Sequence, residues 1–293
     1  SKFVHYRPRT LVINNMEFDH ADIFSDLSDI QRQFHHLIRM VPSNGLVLSP
    51  KNESAVTETL AQGCWTPTEF SVGDEAINDG WHAEKVIADG SEFIVRFKGA
   101  VQGTVKWSLI GDFNIDNGLM AIAAARHAGV PSHVAIDALA EFINTKRRLE
   151  LRGEVNQIRV FDDFAHHPTA IEKTLAGVKA NVSSDVEGNK SRRVIAVLEP
   201  RSNTMKSGIH KDTLPVSLSQ ADTVYLYQGE QVKWSVDELI QDLKQPCFVE
   251  TNIEVLVNLI VANSQAGDTI VVMSNGGFGD IHQKLLIALG KKA

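Results

Sequence analysis

Short apolar runs that alternate with helical patterns fill the second half of the chain, and this alternation constrains the fold more than any other feature. The runs are predicted strands, and they occupy Glu154–Asp163, Val194–Glu199, Thr223–Tyr227 and Thr269–Ser274. Short, continuous apolar runs are typical of strands that are buried on both faces. Strands that alternate with helices form crossover units around a parallel sheet. The sequence therefore predicts a doubly wound, Rossmann-like α/β domain.

The helices predicted between these strands favour the same fold. Pro168 suits the first turn of a helix because its fixed φ angle is already helical, and this helix reaches about Ala180. Further helical patterns lie around Val236–Leu243 and Val255–Asn263.

The first half of the chain begins with another buried strand, predicted over Thr10–Asn14, and continues to a second strand at Leu46–Leu48. A helix is predicted between them, from about Ile23 to Val41, with Asp22 as its N-cap. One face of this helix is apolar and carries Leu27, Ile30, Phe34, Leu37 and Ile38.

Between Gly63 and Leu109 the pattern changes to short alternating stretches that Gly and Asp interrupt, which predicts a small antiparallel sheet. Two helices are predicted after it, at Gly118–Ala128 and Ala135–Ile143. We place a domain boundary after Arg148, which gives domains of residues 1–148 and 149–293.

Charge and cysteine content exclude several classes of protein. The formal charge is −7, whereas nucleic-acid-binding proteins carry clustered basic residues. Cys64 and Cys247 are too few for a disulfide framework and do not form a C-x-x-C metal motif. No apolar run approaches the roughly 20 residues that a membrane-spanning helix needs. We therefore expect a soluble, cytoplasmic protein with neither a nucleic-acid nor a membrane partner.

Two polar clusters in the first half are candidate ligand sites. The loop Asn14–Asp22 follows a predicted strand, and its carboxylates and His20 could hold Mg²⁺ and position a phosphate. Asn114 and Asn117 are three residues apart at a helix start, so both amides point the same way and suit the edge of a purine. For each cluster, simple capping of the following helix is the alternative interpretation.

Two further clusters lie at or after the domain boundary. An arginine at a domain hinge, such as Arg148, can reach a transferring phosphoryl group, although a surface basic pair is the alternative. Asp162 and Asp163 end a predicted strand, and His166 and His167 precede a helix whose N-terminus favours anions. Because packing alone does not explain the paired histidines, we favour a functional interpretation there.

Two more loops follow predicted strands of the same sheet. Glu199–Lys206 comes after one strand, and the glycine-rich Ser274–Gly279 connects another strand to a helix. A glycine-rich strand-to-helix turn exposes backbone N–H groups that can bind a phosphate or a carboxylate, although a tight turn alone also needs glycine. Ligands bind at the carboxyl ends of the strands in such sheets, so these loops and the His166–His167 turn are expected to converge.

Taken in order, these segments resemble the Mur ligases. The loop Asn15–Asp22 resembles the family's metal loop, and Gly111–Asn117 resembles the segment with its adenine-contacting asparagines. Arg148 resembles the interdomain arginine, and Asp163–Pro168 resembles the turn that faces nucleotide and substrate. The resemblance implies an α/β protein with a partial central ATPase-type domain, which includes the small antiparallel sheet, followed by the Rossmann-like domain.

The resemblance also implies cofactors and residue roles. ATP and Mg²⁺ are the implied cofactors: His20 would bind the metal, Asn114 and Asn117 the base, and Asp163 the ribose. Arg148 would approach the γ-phosphate and act with His20 in catalysis. The implied peptide-binding residues are His166, His167, Arg201, Ser202, Asn203, Ser274 and Asn275.

Within the family, the loops Glu199–Lys206 and Ser274–Gly279 resemble those of a member that acts in peptidoglycan recycling. The implied reaction joins UDP-N-acetylmuramate to the tripeptide L-Ala-γ-D-Glu-meso-diaminopimelate through an acyl phosphate. One alternative is a ligase that adds L-alanine to UDP-N-acetylmuramate, and a non-catalytic module that binds nucleotide or peptide is another. A Rossmann dehydrogenase is disfavoured because no strand with a ribose-binding acid follows Gly276–Gly279.

The chain departs from the family pattern in three respects. It has no Gly-x-x-Gly-Lys-Thr loop for ATP phosphates and no N-terminal domain for the UDP-sugar, and Phe113 stands where many relatives have histidine. In the family the missing parts precede the position of Ser1. We therefore interpret the chain as a fragment and expect it to have negligible ligase activity alone.

Overall fold

A computed structural model describes residues 2–72, 79–184, 192–232, 234 and 240–292 of the chain. The chain divides into two compact units, Ser1–Ile143 and Asn144–Ala293, which are called the N-terminal and the C-terminal unit below. Within the described ranges, no helix has both the length and the apolar character needed to span a bilayer.

One six-stranded sheet forms the N-terminal unit, with its strands in sequence order. These strands are β1 (Thr10–Val12), β2 (Leu46–Pro50), β3 (Thr68–Val72), β4 (Trp81–Lys85), β5 (Glu92–Phe97) and β6 (Ala100–Lys106). Strands β1 to β4 pair in parallel, and β4 to β6 pair in antiparallel fashion. The predicted antiparallel strands therefore exist, and they extend the edge of the parallel sheet.

The helices of the N-terminal unit are α1 (Leu27–Ile38), α2 (Ser54–Ala61), α3 (Asp112–His127) and α4 (Ser132–Ala140). The predicted apolar face of α1 is confirmed, since Leu37 and Ile38 are buried and the other members pack against the same cluster. The predicted N-cap Asp22 is wrong, because the cap of α1 is Asp26. Its side chain accepts a hydrogen bond from the Asp29 backbone N–H at 3.1 Å.

Helix α3 packs on the sheet of the N-terminal unit. Its residues Ile115, Leu119 and Ile122 are buried in one cluster with Trp81 and Phe93 from the sheet. This packing fixes the first turns of α3, which carry the two asparagines of the predicted purine site.

A second six-stranded sheet forms the C-terminal unit. Its strands are β7 (Glu150–Val155), β8 (Ile158–Asp163), β9 (Val194–Leu198), β10 (Thr223–Tyr227), β11 (Cys247–Glu250) and β12 (Thr269–Met273). They follow the order β11-β10-β9-β12-β8-β7, and all neighbours are parallel except β7 and β8. The predicted α/β fold with a Rossmann-like C-terminal part is confirmed.

The predicted strand Glu154–Asp163 is in fact the end of one strand, a turn and the second strand of a hairpin. Strands β7 and β8 are antiparallel, and Asn156 and Gln157 connect them with φ angles of 53° and 62°. A two-residue turn with both φ angles positive suits the right-handed twist of a hairpin. This hairpin places β7 at the edge of the sheet.

The helices of the C-terminal unit are α5 (Pro168–Ser184), α6 (Asn203–Ser207), α7 (Leu214–Ser217), α8 (Ile253–Asn263) and α9 (Ile281–Lys291). Pro168 begins α5, as predicted. The predicted helix Val236–Leu243 lies largely outside the described residues. Strand residues such as Ile195, Val197 and Ile270 form the core together with α8 and α9.

Candidate functional site

Three loops of the C-terminal unit lie side by side because they follow neighbouring parallel strands. Met273 at the end of β12 is in register with Asp163 on one side and with Leu198 on the other. The segments that begin after these residues are the His166–His167 turn, the Ser274 turn and the Glu199 loop. The structure thus brings together three clusters that are far apart in the sequence.

Ser274 joins these loops through its backbone and its hydroxyl group. Its backbone N–H donates to the Asp163 carbonyl at 3.1 Å, and its hydroxyl donates to Glu199 Oε2 at 2.5 Å. The same hydroxyl accepts the N–H of Gly276 at 2.9 Å. Since Ser274 is 1% exposed, its hydroxyl organises the turn from within.

Arg201 lies directly over the glycine-rich turn. A Cβ atom at Gly276 would lie 2.4 Å from Arg201 Cδ, so a larger residue there would displace the Arg201 side chain from this position. The Arg201 guanidinium is 3.8 Å from Glu199 Oε1, and its side chain is 51% exposed. Glu199 therefore orients both Ser274 and Arg201. Its position at the end of a predicted strand, next to polar residues, is the sequence feature that could have indicated this role.

Asp163 faces inward in this structure. Its carboxylate accepts the backbone N–H groups of Leu149 and Ala165, each at 2.7 Å, and Thr174 donates its hydroxyl at 3.4 Å. Burial raises the pKa of this carboxyl, and the two backbone N–H groups oppose that effect. Asp163 is 4% exposed, and its hydrogen bonds to Leu149 and Ala165 fix the backbone at the start of the unit. Its predicted contact with the ribose stays a prediction.

The two arginines at the start of the C-terminal unit have different surroundings. Arg148 is exposed, and its guanidinium carbon lies 5.4 Å from the centre of the Phe164 ring. Arg147 is partly buried and contacts Asp162 and the Ser274 turn. A role was predicted for Arg148, whereas none was predicted for Arg147 by itself.

The two histidines of the His-His-Pro turn are oriented differently. His166 Nδ1 lies 2.9 Å from the Phe164 carbonyl, so this nitrogen donates and Nε2 is left as the acceptor of the neutral ring. The His167 ring packs edge-on against His210, with 4.4 Å between the ring centres. His210, which lies between α6 and α7, is not among the predicted site residues.

The remaining predicted peptide residues lie in the same loops. Ser202 is the N-cap of α6, and its hydroxyl accepts the Met205 N–H at 3.2 Å, while Asn203 is exposed at the start of that helix. Asn275 follows Ser274, and its Oδ1 is buried with no hydrogen-bond partner within the described part of the chain. A buried acceptor without a partner suits a donor from a ligand.

His20, in the N-terminal unit, is exposed and has a left-handed backbone with φ of 55°. Its backbone N–H donates to Asp19 Oδ1 at 2.7 Å. Across the described segments, no group of at least three His, Cys, Asp or Glu side chains could hold a metal. Mg²⁺ usually takes one or two protein carboxylates together with phosphate and water, so the carboxylates of this loop fit it better than the His20 imidazole, and the predicted role of His20 as a metal ligand stays a prediction.

The two asparagines of the predicted purine site lie in the first turns of α3. Asn114 Nδ2 donates to the Ile110 carbonyl at 2.8 Å, and Asn117 Oδ1 accepts Asn14 Nδ2 at 2.9 Å. Asn14 is the first residue of the predicted metal loop. A hydrogen bond therefore connects this loop to the predicted purine helix, and the pairing of Asn14 with Asn117 was not predicted.

Comparison with known proteins agrees with this geometry. The family model for the Mur ligase middle domain matches residues 1–125, and the model for the Mur ligase glutamate ligase domain matches residues 147–276. Together the two matches cover most of the chain. The chain belongs to the Mur ligase family.

Two Mur ligases show strong similarity over the whole chain. The UDP-N-acetylmuramate–L-alanyl-γ-D-glutamyl-meso-2,6-diaminoheptandioate ligase of Escherichia coli (strain K12) is 53% identical over 293 residues, which cover 100% of this chain and 62% of that protein. A murein peptide ligase of Psychrobacter arcticus 273-4, known by its crystal structure, has a TM-score of 0.69 and 44% identity, and the alignment covers 100% of this chain and 60% of that one. The chain thus spans about three fifths of these relatives.

A Mur ligase with another stated substrate is more distant. The UDP-N-acetylmuramate–L-alanine ligase of Caldanaerobacter subterraneus is 27% identical over 299 aligned residues, which cover 97% of this chain and 62% of that protein.

Proposed function

We propose that the chain is part of an ATP-dependent ligase that joins UDP-N-acetylmuramate to the tripeptide L-Ala-γ-D-Glu-meso-diaminopimelate in peptidoglycan recycling. Residues 1–148 would be the C-terminal part of the ATP-binding domain, and residues 149–293 the C-terminal domain. The protein would act in the cytoplasm. The 53% identity to a relative named for this reaction, across the full chain, is the observation that carries the proposal.

The loops at the strand ends of the C-terminal unit suit a peptide that carries several carboxylates. Arg201 is half exposed and oriented by Glu199, and a guanidinium binds a carboxylate through two parallel hydrogen bonds. Asn275 supplies a buried amide oxygen, and His166 presents Nε2 as an acceptor. These groups can bind the acidic and the donor groups of a peptide without contributing to bond formation themselves.

The chemistry requires charge neutralisation more than covalent participation by the protein. ATP would phosphorylate the lactyl carboxylate of UDP-N-acetylmuramate, and the peptide amine would displace phosphate from the resulting acyl phosphate. Arg148, exposed at the start of the C-terminal unit, is the proposed ligand of the γ-phosphate. Asn114 and Asn117 are proposed to bind the adenine base. Mg²⁺ would neutralise phosphate charge, with His20 among its ligands.

The test is to offer ATP, UDP-N-acetylmuramate and tripeptide to the chain and to the same chain extended by the residues encoded upstream of Ser1. ADP release and the mass of the ligated product are measured, and free L-alanine replaces the tripeptide in a parallel reaction. We expect turnover with tripeptide for the extended protein and negligible turnover for the chain alone, which lacks a phosphate loop. Preference for L-alanine, or nucleotide binding without turnover by the extended protein, would contradict the proposal.

A further inference from the structure

The Arg147 side chain forms hydrogen bonds with the turn that carries Ser274 and Asn275, two of the proposed peptide-binding residues. Its NH2 nitrogen donates to the Ser274 carbonyl at 2.6 Å and to the Gly276 carbonyl at 2.7 Å. Both carbonyls belong to the backbone on either side of Asn275. A planar guanidinium that bonds both carbonyls therefore restricts the direction in which the Asn275 side chain points.

A buried carboxylate holds this guanidinium in place. Asp162 is only 4% exposed at its side chain, and its Oδ1 lies 3.4 Å from Arg147 Nε and 3.3 Å from His282 Nε2. Arg152 approaches the other oxygen of Asp162 at 3.7 Å but is itself 41% exposed. A buried charge needs paired partners, so Asp162 and Arg147 stabilise each other in one arrangement.

The backbone of Arg147 is also fixed, in a conformation that few non-glycine residues adopt. Arg147 and Leu149 have φ angles of 61° and 49°. The Arg147 carbonyl accepts the Phe164 N–H at 2.8 Å, and the Arg147 N–H donates to Glu150 Oε2 at 2.9 Å. Left-handed residues persist only where their surroundings hold them, so Arg148, between the two, has a restricted path.

We infer that Arg147 is a positioning residue that sets the geometry of the Ser274–Gly276 turn through its side chain and the path of Arg148 through its backbone. This inference rests on the proposed function for its significance, because it makes one residue serve both the peptide-facing turn and the proposed phosphate ligand. Arg147 does not itself touch either substrate in this scheme. Arg152 shares Asp162 as a partner and has no bond to the turn, which makes it a matched control.

The first test does not depend on any enzymatic activity. Amide hydrogen exchange is measured for the segment 274–280 in the wild-type chain and in the variants Arg147→Ala, Arg147→Lys and Arg152→Ala. Loss of hydrogen bonds from a charged donor should accelerate exchange in this segment about tenfold in both Arg147 variants. Arg152→Ala should match the wild type. Equal exchange in all four proteins, or equal acceleration in Arg152→Ala, would overturn the inference.

Arg147→Lys is included so that the test still holds if Arg147→Ala does not fold. It retains a positive charge near Asp162, but its single nitrogen replaces two: Arg147 Nε, which faces Asp162, and NH2, which donates to both carbonyls. Thermal unfolding is recorded for each variant, and the exchange result is judged on those that unfold cooperatively.

The second test separates positioning from a merely structural role. In the upstream-extended protein, Arg147→Lys should raise the KM for tripeptide about tenfold while the KM for UDP-N-acetylmuramate stays near the wild-type value. Equal increases in both KM values would contradict positioning. If the wild-type extended protein shows no turnover with tripeptide, the proposed function fails, and hydrogen exchange still decides the role of Arg147.

Discussion

The two candidate sites of this Mur ligase chain are built in opposite ways. In the C-terminal unit, Glu199 contacts both Ser274 and Arg201, and Ser274 is 1% exposed. In the N-terminal unit, His20 is exposed, and a side-chain hydrogen bond between two exposed asparagines, Asn14 and Asn117, connects its loop to α3.

The two sites differ in how much their polar side chains contribute to the stability of the fold. Asp162, Asp163 and Ser274 in the C-terminal unit are buried, so they must be paired to be tolerated, and their pairing also fixes the loops they contact. The exposed groups in the N-terminal unit are solvated and contribute little to folding. We therefore expect site substitutions to affect folding strongly in the C-terminal unit and mainly ligand binding in the N-terminal unit.

The largest effect is expected for Asp163→Ala. This change leaves the buried N–H groups of Leu149 and Ala165 without their acceptor and should lower the free energy of unfolding by about 3 kcal/mol. Urea unfolding measures the loss, and Asp212→Ala, at an exposed position of the same unit, is the control. A loss no larger than that of Asp212→Ala would contradict the expectation that site substitutions in the C-terminal unit strongly affect folding.

A smaller effect on the free energy of unfolding is expected from the protonation of Asp162. Burial acts to raise the pKa of this carboxyl, but the hydrogen bond and charge of His282 and the charge of Arg147 prevail and lower it below 3.8. The folded state therefore releases this proton more readily than the unfolded state, so the stabilisation is present above pH 3.8 and is lost as pH falls through the folded pKa.

Asp162→Asn tests this titration by urea unfolding at a series of pH values. The stability difference from the wild type should be largest near neutral pH and should shrink as the pH falls below 3.8. Asp26 in the N-terminal unit also has a lowered pKa, because the Ser28 hydroxyl and the Asp29 N–H donate to it. Since Asp26 is exposed, Asp26→Asn should change in the same direction with a smaller amplitude, and an amplitude as large as that of Asp162→Asn would contradict our comparison.

The smallest effect on folding is expected for Asn14→Ala. Asn14 is exposed, so its loss should change the free energy of unfolding by no more than about 0.5 kcal/mol. Loss of its bond to Asn117 should weaken ADP binding by the upstream-extended protein about fivefold, as measured by calorimetry. Asn52→Ala, at another exposed asparagine of the unit, should leave both quantities unchanged. Strong destabilisation by Asn14→Ala would remove the distinction between the two sites.

Sequence patterns predicted the features that local chemistry determines. Pro168 begins α5 because its φ angle is preset, and Thr223–Tyr227 is a strand with the predicted bounds because it is a continuous apolar run. The convergence of the loops after Asp163, Leu198 and Met273 followed from the parallel sheet alone.

Features that depend on a choice between similar local candidates, or on contacts between distant residues, could not be predicted from the sequence. The turn at Asn156 and Gln157 lacks the glycine that usually marks a two-residue hairpin, so the sequence read as one long strand. Several carboxylates precede α1, and the local pattern does not show that the helix begins at Leu27, directly after Asp26, instead of after Asp22. The bond from Arg147 to the Ser274 carbonyl joins residues 127 positions apart, and no local pattern encodes it.

The position of β12 between β8 and β9 has a consequence for how the protein is made. Strand β12 lies between two strands that precede it in the chain, so β8 and β9 each expose an unpaired edge until Thr269–Met273 has been synthesised. Assembly of the strand-end loops therefore has to await the synthesis of β12. A ribosome that stalls before Thr269 would release a polypeptide with two open edges, which is the kind of species that chaperones must shield from aggregation.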